Sequence, residues 1–428
     1  MALDLALYTW HLELESDQMP SDKQTASTLE ISIDDLKPGM YVKSISYQDK
    51  GFILKSEGYV LSASKVLQLK HAGIKKLLID PSKQKATEQI DKVMPNITAN
   101  PLSKLDRMQS ANTVTLEDEL KKASILYDNA KSIQERILVN IQNDVAIDAG
   151  EVRETTDEIV NSIFRNQDAL SCLAKIQSKS NYLAEHSLNC SILMAIFAKH
   201  LKLDREIIEQ LALGAFLKDI GEVLIPDNIL NKPTPLTDDE KSIMRSHVAL
   251  GEKVLEDSAQ ISHIVMTVVK EHHERLNGTG YPRKLKGDDI SKYGKMIAIV
   301  DSYDAMVSDR CYKRAVPPVK AFKELVSNSG ELFDETLVDS FIHCMGVFPV
   351  GTLVQLNSGK IGLISRQDPD KPTTPFVKVF YNAKLNQAIP IEEINLSKSK
   401  YKDQIDKCIR PEDFSLNLMG FFKTAFMP

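Results

Sequence analysis

The stretch that decides the fold is His272-His273-Glu274-Arg275-Leu276-Asn277-Gly278-Thr279-Gly280-Tyr281-Pro282. Two adjacent imidazoles end an apolar helical run, and the turn that follows contains two glycines and a proline, which permit backbone shapes that few other residues adopt. Paired histidines beside a tight turn suggest metal chemistry. This interpretation requires other ligand-type side chains to converge on the same place.

Such side chains do recur on the apolar faces of the neighbouring predicted helices. The buried stripe of the helix after Asp204 leads to Asp219, and a capping box at Thr237 opens a helix whose stripe runs from Ile243 through His247. A single inward histidine is usually a hydrogen-bonded core residue. Five helices with the same pattern favour a shared site instead, because burial of polar groups without partners is costly. Its predicted members are His186, Asp219, His247, His272 and Asp301, with Asp304 on the same helical face as Asp301. His273 is turned about 100° from His272 unless the helix unwinds there.

The chemistry of this set indicates a divalent cation. Imidazole and carboxylate ligands together suit Fe or Mn, and a carboxylate such as Asp219 can bridge two ions for the hydrolysis of a phosphate ester. Arg310 and Lys313 lie a few residues beyond Asp301 and are candidates for phosphate binding, with solvated surface charge as the alternative interpretation.

Composition excludes several other classes of function. The net charge of −6 over 428 residues argues against broad capture of a nucleic acid polymer or an anionic membrane. No run of about 18 apolar residues predicts a membrane span. The five cysteines form no C-x-x-C pair, so disulfides and zinc knuckles are not expected, and we predict a cytoplasmic protein.

Hydrophobic periodicity predicts a mainly α protein with a small α+β module at the N-terminus and a small β appendage near the C-terminus. The predicted divisions are an unassigned segment at 1–28, the α+β module at 29–82, a flexible linker at 83–115, a helical region at 116–349 with a connecting helix at 116–142 and the metal-binding domain at 150–349, the β appendage at 350–397, and a polar tail at 398–428.

The connecting helix has an apolar stripe that allows two interpretations. The stripe is typical of a helix that packs on the core of its own chain, and the alternative is a dimer or signalling helix. Its residues are Leu126, Ala130, Ile133, Ile137 and Ile141.

In order along residues 150 to 349, the chain resembles the HD-GYP domain, a branch of the HD phosphohydrolases. The matching motifs are His186-Ser187, residues 214–227, Ile229-Leu230-Asn231-Lys232-Pro233, His247, His272-His273-Glu274-Arg275, Gly280-Tyr281-Pro282, Asp301 and Ser308-Asp309-Arg310. The N-terminal module, with Leu36-Lys37-Pro38-Gly39-Met40-Tyr41-Val42, is similar to the small domain often found ahead of HD-GYP domains in bacteria.

The resemblance implies hydrolysis of cyclic di-GMP or a related cyclic dinucleotide. It also implies that Arg310 and Lys313 contact phosphate and that Gly280-Tyr281-Pro282 contacts diguanylate cyclase domains. The metal ligands that it implies are His186, Asp219, His247, His272, His273 and Asp301. A homodimer is a further expectation.

The chain departs from the family in the motif that names the superfamily. Where the family has His-Asp-x-Gly-Lys, this chain has Lys218-Asp219-Ile220-Gly221-Glu222. A protonated lysine has no lone pair for a metal, so the first metal position weakens and the ammonium is expected to neutralise Asp219 and Asp301 in its place. Glu222 puts a negative charge where a lysine would face substrate phosphate. The second position keeps its full set: Asp219, His247, His272 and His273.

Three functional hypotheses remain open at this point. The leading one is an HD-GYP protein of cyclic-dinucleotide signalling whose hydrolysis is weakened or lost and which acts as a nucleotide receptor or a protein-interaction module. The alternative is an active metal-dependent phosphodiesterase that retains Asp219 as its dyad residue. The third is a structural polar network without metal.

Overall fold

The computed structural model describes residues 28–37, 40–48, 58–60, 66, 69–70, 74–81, 112–176, 181–256, 261–309, 314–368, 371, 373–398, 403–414 and 420–421. The chain divides into two compact units, Met1–Asn100 and Pro101–Pro428. Most of the predicted linker, and both Arg310 and Lys313, lie outside the described residues.

The N-terminal unit contains a four-stranded antiparallel sheet. Its strands are β1 (Leu29–Ser32), β2 (Tyr41–Gln48), β3 (Gly58–Tyr59) and β4 (Ile74–Asp80), in the order β1-β4-β2-β3. The central strand β4 buries Ile74, Leu77 and Ile79, which form a small apolar core with Val42 and Leu69. Residues 66, 69 and 70 are helical, so the described part of this unit has the predicted α+β character.

The second unit is helical over most of its length. Its helices are α1 (Leu116–Gln142), α2 (Ala149–Arg165), α3 (Gln167–Ile176), α4 (Tyr182–His200), α5 (Arg205–Leu217), α6 (Asp227–Leu230), α7 (Asp238–Arg245), α8 (His247–Glu256), α9 (His263–Glu271), α10 (Lys292–Val307), α11 (Pro318–Ser327) and α12 (Glu335–Met345). The mainly α fold class is confirmed. Within the described residues no helix has the length and apolar character needed to cross a bilayer.

Helix α1 packs on the core of its own chain. Ala130, Ile137 and Ile141 are buried, and Leu126 and Ile133 are partly buried against the same core, so the stripe is covered by other helices of this unit. The interpretation of α1 as a packing helix is confirmed.

The predicted continuous helix through His247 is wrong. The capping box of Thr237 and Glu240 does open α7, but α7 ends at Arg245 and α8 begins at His247. The helix is interrupted at Ser246, and Ile243, predicted on the inward stripe, is 41% exposed. His247 is nevertheless buried, because the first turn of α8 points it into the core.

A five-stranded antiparallel sheet follows the helices. Its strands are β5 (Leu353–Leu356), β6 (Lys360–Arg366), β7 (Phe376–Asn382), β8 (Gln387–Asn395) and β9 (Ile405–Cys408), in the order β8-β7-β6-β5-β9. The predicted β appendage is therefore present, and β5 and β6 pair as a hairpin within it. Strand β9 lies in the segment predicted as a polar tail, where it pairs with β5 at the sheet edge. Farther along the same segment, the ring of Phe421 stacks on Phe380.

One close backbone approach positions α8 beside the end of α5. A short 3-10 helix, Ile220–Leu224, follows α5, and a Cβ atom on its Gly221 would lie 2.0 Å from the carbonyl oxygen of His247 and 2.5 Å from the amide nitrogen of Gly251. Neither opposing atom can move without moving α8. Glycine at 221 therefore sets how closely His247 approaches Asp219.

We predict that Gly221→Ala lowers the free energy of unfolding by about 3 kcal/mol or more, because the added methyl group meets backbone rather than a flexible side chain. Gly251→Ala is the matched control on the opposite side of the same contact. Its Cβ would lie 3.4 Å from the nearest atom, and alanine favours a helix by about 1 kcal/mol over glycine. Urea unfolding of both variants measures the difference. Equal stability of the two variants would contradict the proposed steric role.

Candidate functional site

Six helical elements bring the site residues together at their ends and inner faces. His186 lies in the first turns of α4, and Asp301 lies on the inner face of α10. Lys218 caps the C-terminus of α5, and Asp219 follows it at the start of the 3-10 helix. His247 begins α8, while His272 and His273 follow the last residue of α9. The structure therefore places all six predicted ligand side chains in one cluster.

Four of these side chains form a compact group of possible metal ligands. Asp219, His247, His272 and His273 each place one ligand atom within 4.8 Å of the others. Oδ1 of Asp219 lies 3.4 Å from Nε2 of His272 and 3.9 Å from Nε2 of His247. This is the second metal position predicted from the sequence.

The tautomers of two of these histidines suit a cation. Nδ1 of His247 donates to the carbonyl oxygen of Met244 at 2.8 Å, and Nδ1 of His272 donates to that of Val269 at 2.7 Å. Both Nε2 atoms therefore present lone pairs, and they lie 3.3 Å apart. Two lone pairs at that distance repel unless a cation or a proton lies beside them. Hydrogen bonds of this kind are typical of metal-binding histidines.

His273 lies at the open side of the group. Its side chain is 18% exposed, its Nδ1 lies 3.6 Å from Oδ2 of Asp301, and its ring lies 4.6 Å from that of Tyr281. The Tyr281 amide donates to the carbonyl oxygen of His273 at 3.2 Å. A Cβ on Gly280 would lie 2.5 to 2.6 Å from backbone atoms of His273, Glu274 and Arg275, so the turn packs directly against these residues.

Two buried carboxylates hold this turn in place. Glu274 accepts from the backbone amides of Arg283 at 2.8 Å and Leu285 at 3.0 Å. Glu271 accepts from the amide of Ser291 at 2.9 Å and from its hydroxyl at 2.6 Å. Both carboxylates accept hydrogen bonds from residues that follow them in the chain. We therefore assign them a positioning role rather than a ligand role.

Lys218 lies in the place predicted for a first metal ion. Its side chain is fully buried, and its ammonium pairs with Oδ2 of Asp219 and lies 2.7 Å from Oδ1 of Asp301. The same nitrogen lies 3.1 Å from Nε2 of His186. The ammonium thus lies among the three side chains that would otherwise face a first cation.

Asp304 completes this part of the site, although sequence reasoning assigned it no role. Nδ1 of His186 donates to Oδ2 of Asp304 at 2.7 Å, which directs Nε2 toward Asp301 at 3.0 Å. The sequence signal was its spacing of three residues from Asp301 on one helical face. Cys190 lies one turn after His186, with its sulfur 3.8 Å from both ring nitrogens, and groups with His186 and Asp301 as a further possible ligand.

The buried charges of Lys218, Asp219 and Asp301 stabilise one another. Burial alone would raise the pKa of Asp219 and Asp301, but the ammonium of Lys218 outweighs it and holds the pKa of both carboxyls well below its usual range. Burial likewise opposes the charged lysine, yet the two carboxylates hold the pKa of Lys218 well above its usual value. Burial lowers the pKa of the ring of His247 and of the ring of His272, which favours neutral imidazoles.

Arg275, part of the histidine stretch, is committed to the fold. Its guanidinium donates to the carbonyl oxygens of His272 at 3.2 Å and Glu274 at 2.8 Å, and to Ser302 Oγ at 3.2 Å. The two predicted phosphate-binding residues, Arg310 and Lys313, lie outside the described part of the chain.

Comparison with known proteins identifies the family. Residues 171–337 match a model of the HD domain, and residues 28–152 match a model described as a domain of unknown function, DUF3391. The cyclic di-GMP phosphodiesterase PA4108 of Pseudomonas aeruginosa is 34% identical over 384 residues, which are 88% of this chain and 90% of that protein. The chain belongs to the HD-GYP family.

Other relatives of this HD-GYP chain match a shorter part of it. A cyclic di-GMP phosphodiesterase of Thermotoga maritima is 34% identical over 186 residues, covering 43% of this chain and 50% of that protein. The 3'3'-cGAMP-specific phosphodiesterase 2 of Vibrio cholerae is 30% identical over 190 residues, covering 44% of this chain and 35% of that protein. The names of these relatives thus include two kinds of cyclic dinucleotide.

We predict that Lys218→Met lowers the free energy of unfolding in metal-free buffer by about 3 to 5 kcal/mol, because it leaves two buried carboxylates without their cation. Lys199→Met is the control: its ammonium donates to the carbonyl oxygen of Ile163 at 2.9 Å, so its loss is expected to cost only about 1 kcal/mol.

Urea unfolding in the presence of a chelator, and then with added Mn²⁺, measures both variants. Added Mn²⁺ should stabilise Lys218→Met more than it stabilises the wild type, since the variant leaves the first position open to a cation. A Lys218→Met protein as stable as wild type in chelator would rule out the ammonium as the compensating charge.

Proposed function

We propose that this HD-GYP protein binds a cyclic dinucleotide of the cyclic di-GMP type in bacterial signalling, with its hydrolysis weakened or lost. It would act as a nucleotide receptor or as a protein-interaction module. The observation that carries the proposal is the ammonium of Lys218, which pairs with Asp219 and Asp301 and lies beside Nε2 of His186.

We propose further that one divalent cation, Fe or Mn, binds the second position through Asp219, His247, His272 and His273. Two neutral imidazoles with their lone pairs turned toward one carboxylate fit such an ion. A bound divalent cation would supply Lewis-acid activation of water and neutralisation of phosphate charge. The chain itself orients the imidazoles through the carbonyl oxygens of Met244 and Val269.

Three features of the chain argue for weakened hydrolysis. The ammonium carries one positive charge where a divalent ion carries two, and it has no coordination site for a water molecule or a phosphate oxygen. Asp219 also divides its carboxylate between Lys218 and the histidines. Glu222, finally, adds a negative charge to the 3-10 helix that follows Asp219, where an anionic ligand would approach.

The remaining expectations concern partners and location. We propose that the turn at Gly280-Tyr281-Pro282 contacts diguanylate cyclase domains, which its exposed neighbours Thr279 and Arg283 would permit. We also propose a homodimer and a cytoplasmic location.

A second candidate is an active phosphodiesterase for cyclic di-GMP or a related cyclic dinucleotide. It is favoured by the similarity to the Pseudomonas aeruginosa phosphodiesterase, which extends over most of both chains. In this case Asp219 and the three histidines of the second position would support turnover with Lys218 in place.

The test is the variant Lys218→His, which returns an imidazole to the first position. We expect wild-type protein purified without oxygen to hold about one metal ion per chain and to bind cyclic di-GMP with little turnover. Since loss of a ligand or its partner costs about 10- to 100-fold in affinity or activity, the variant should gain a second ion and at least about tenfold in turnover.

His272→Ala is the companion variant and should lose the metal ion at the second position. Two ions per wild-type chain, with turnover that Lys218→His leaves unchanged and His272→Ala abolishes, would overturn the proposal in favour of the active phosphodiesterase. No metal and no nucleotide binding in the wild type would overturn both candidates.

A further inference from the structure

Arg245 is an exposed arginine with an unusual placement at the end of α7. Its guanidinium carbon lies 5.2 Å from the centre of the Tyr281 ring. Among the described residues it has no hydrogen-bond or ion-pair partner, and Asp238 on the same helix pairs with Lys241 instead. Its five N–H donors are therefore free for a ligand.

A continuous series of rings connects Arg245 to the buried histidines. The ring centres of His272 and His273 lie 4.1 Å apart, those of His273 and Tyr281 lie 4.6 Å apart, and the guanidinium lies over Tyr281. Exposure increases in the same direction, from the fully buried His272 to the exposed Arg245. Arg245 therefore lies at the rim of the candidate metal site.

The break between α7 and α8 fixes this position. Arg245 is the last residue of α7 and His247 is the first of α8, so only Ser246 separates the two residues. The ring of Tyr281 lies 6.2 Å from the ring of His247 and 5.2 Å from the guanidinium of Arg245. The contact with Tyr281 adds a second restraint that holds the side chain over the site.

We propose that Arg245 binds a phosphate group of the cyclic dinucleotide at the mouth of the site. The inference rests on the proposed function, which supplies the ligand. A planar guanidinium matches two phosphate oxygens at once, and its contact with an aromatic ring orders it before the ligand arrives. Arg245 also places a positive charge at the mouth of the site. The family resemblance implies a lysine there, and this chain has Glu222 instead.

The experiment compares two variants of Arg245 with one control on the same helix. Arg245→Met keeps an apolar chain over Tyr281 but removes every donor, and Arg245→Lys keeps the charge but loses the planar fork. Lys241→Ala removes an exposed lysine whose partner is Asp238. Calorimetric titration of the Mn²⁺-loaded full chain with cyclic di-GMP gives the dissociation constant, and metal content and urea midpoint are measured for each protein.

We expect Arg245→Met to weaken binding by about tenfold to 100-fold, the usual effect of losing a charged hydrogen bond. Arg245→Lys should give an intermediate value, and Lys241→Ala should bind as wild type does. Metal content and unfolding midpoint should stay unchanged in all three, which separates a lost phosphate contact from a disturbed site.

The outcomes distinguish this inference from the function on which it rests. Wild-type binding that Arg245→Met leaves unchanged overturns the role of Arg245 and keeps the receptor function. Weakened binding accompanied by loss of metal also overturns it, because Arg245 would then act on the site rather than on the ligand. Wild-type protein without affinity for cyclic di-GMP overturns both.

Discussion

The packing of the site depends on two buried carboxylates that need a positive charge beside them. Asp219 and Asp301 lie on different helical elements and are almost completely excluded from water. Carboxylates in such surroundings must be neutralised by a proton or by a positive charge, because an isolated buried charge costs many kcal/mol. Here the ammonium of Lys218 supplies that charge from within the chain. It therefore joins the end of α5 to α10 without requiring any ion from solution.

The frame around these carboxylates is built from buried polar contacts as well as apolar packing. Three residues of α1 reach the elements that carry the site. The hydroxyl of Tyr127 donates to Asn189 at 3.1 Å, the amide of Gln134 donates to the carbonyl oxygen of Phe216 at 3.1 Å, and Lys131 pairs with Glu185. Glu185 precedes His186, and Phe216 precedes Lys218 by two residues. A shift of α1 would therefore displace both His186 and Lys218.

Sequence reasoning predicted the helices and most of the inward-pointing polar side chains because both depend on local periodicity. A polar side chain at the next step of an apolar stripe must point inward, whatever the surrounding fold, so Asp219 and Asp301 could be assigned from spacing alone. The break before His247 could not, since the apolar stripe of the sequence continues through His247 with no proline or glycine at the break. Strand β9 was missed because Ile405–Cys408 is short and polar, and pairing with β5 rather than propensity makes it a strand. Arg245 gave no signal, because an arginine at the end of a helix is ordinarily solvated.

The two oxygens of Asp219 face different partners. Oδ2 faces the ammonium of Lys218, and Oδ1 faces Nε2 of His272 and of His247. This is the arrangement of a bridging carboxylate, with a fixed monovalent cation on one side in place of a metal ion. The geometry of the second position thus does not depend on whether a metal occupies the first. A covalently attached cation keeps the histidines in register at every metal concentration, but it contributes less charge and no open coordination site. The buried carboxylates therefore keep their positions through a charge that belongs to the chain itself, so the fold of this cluster does not depend on a bound metal ion.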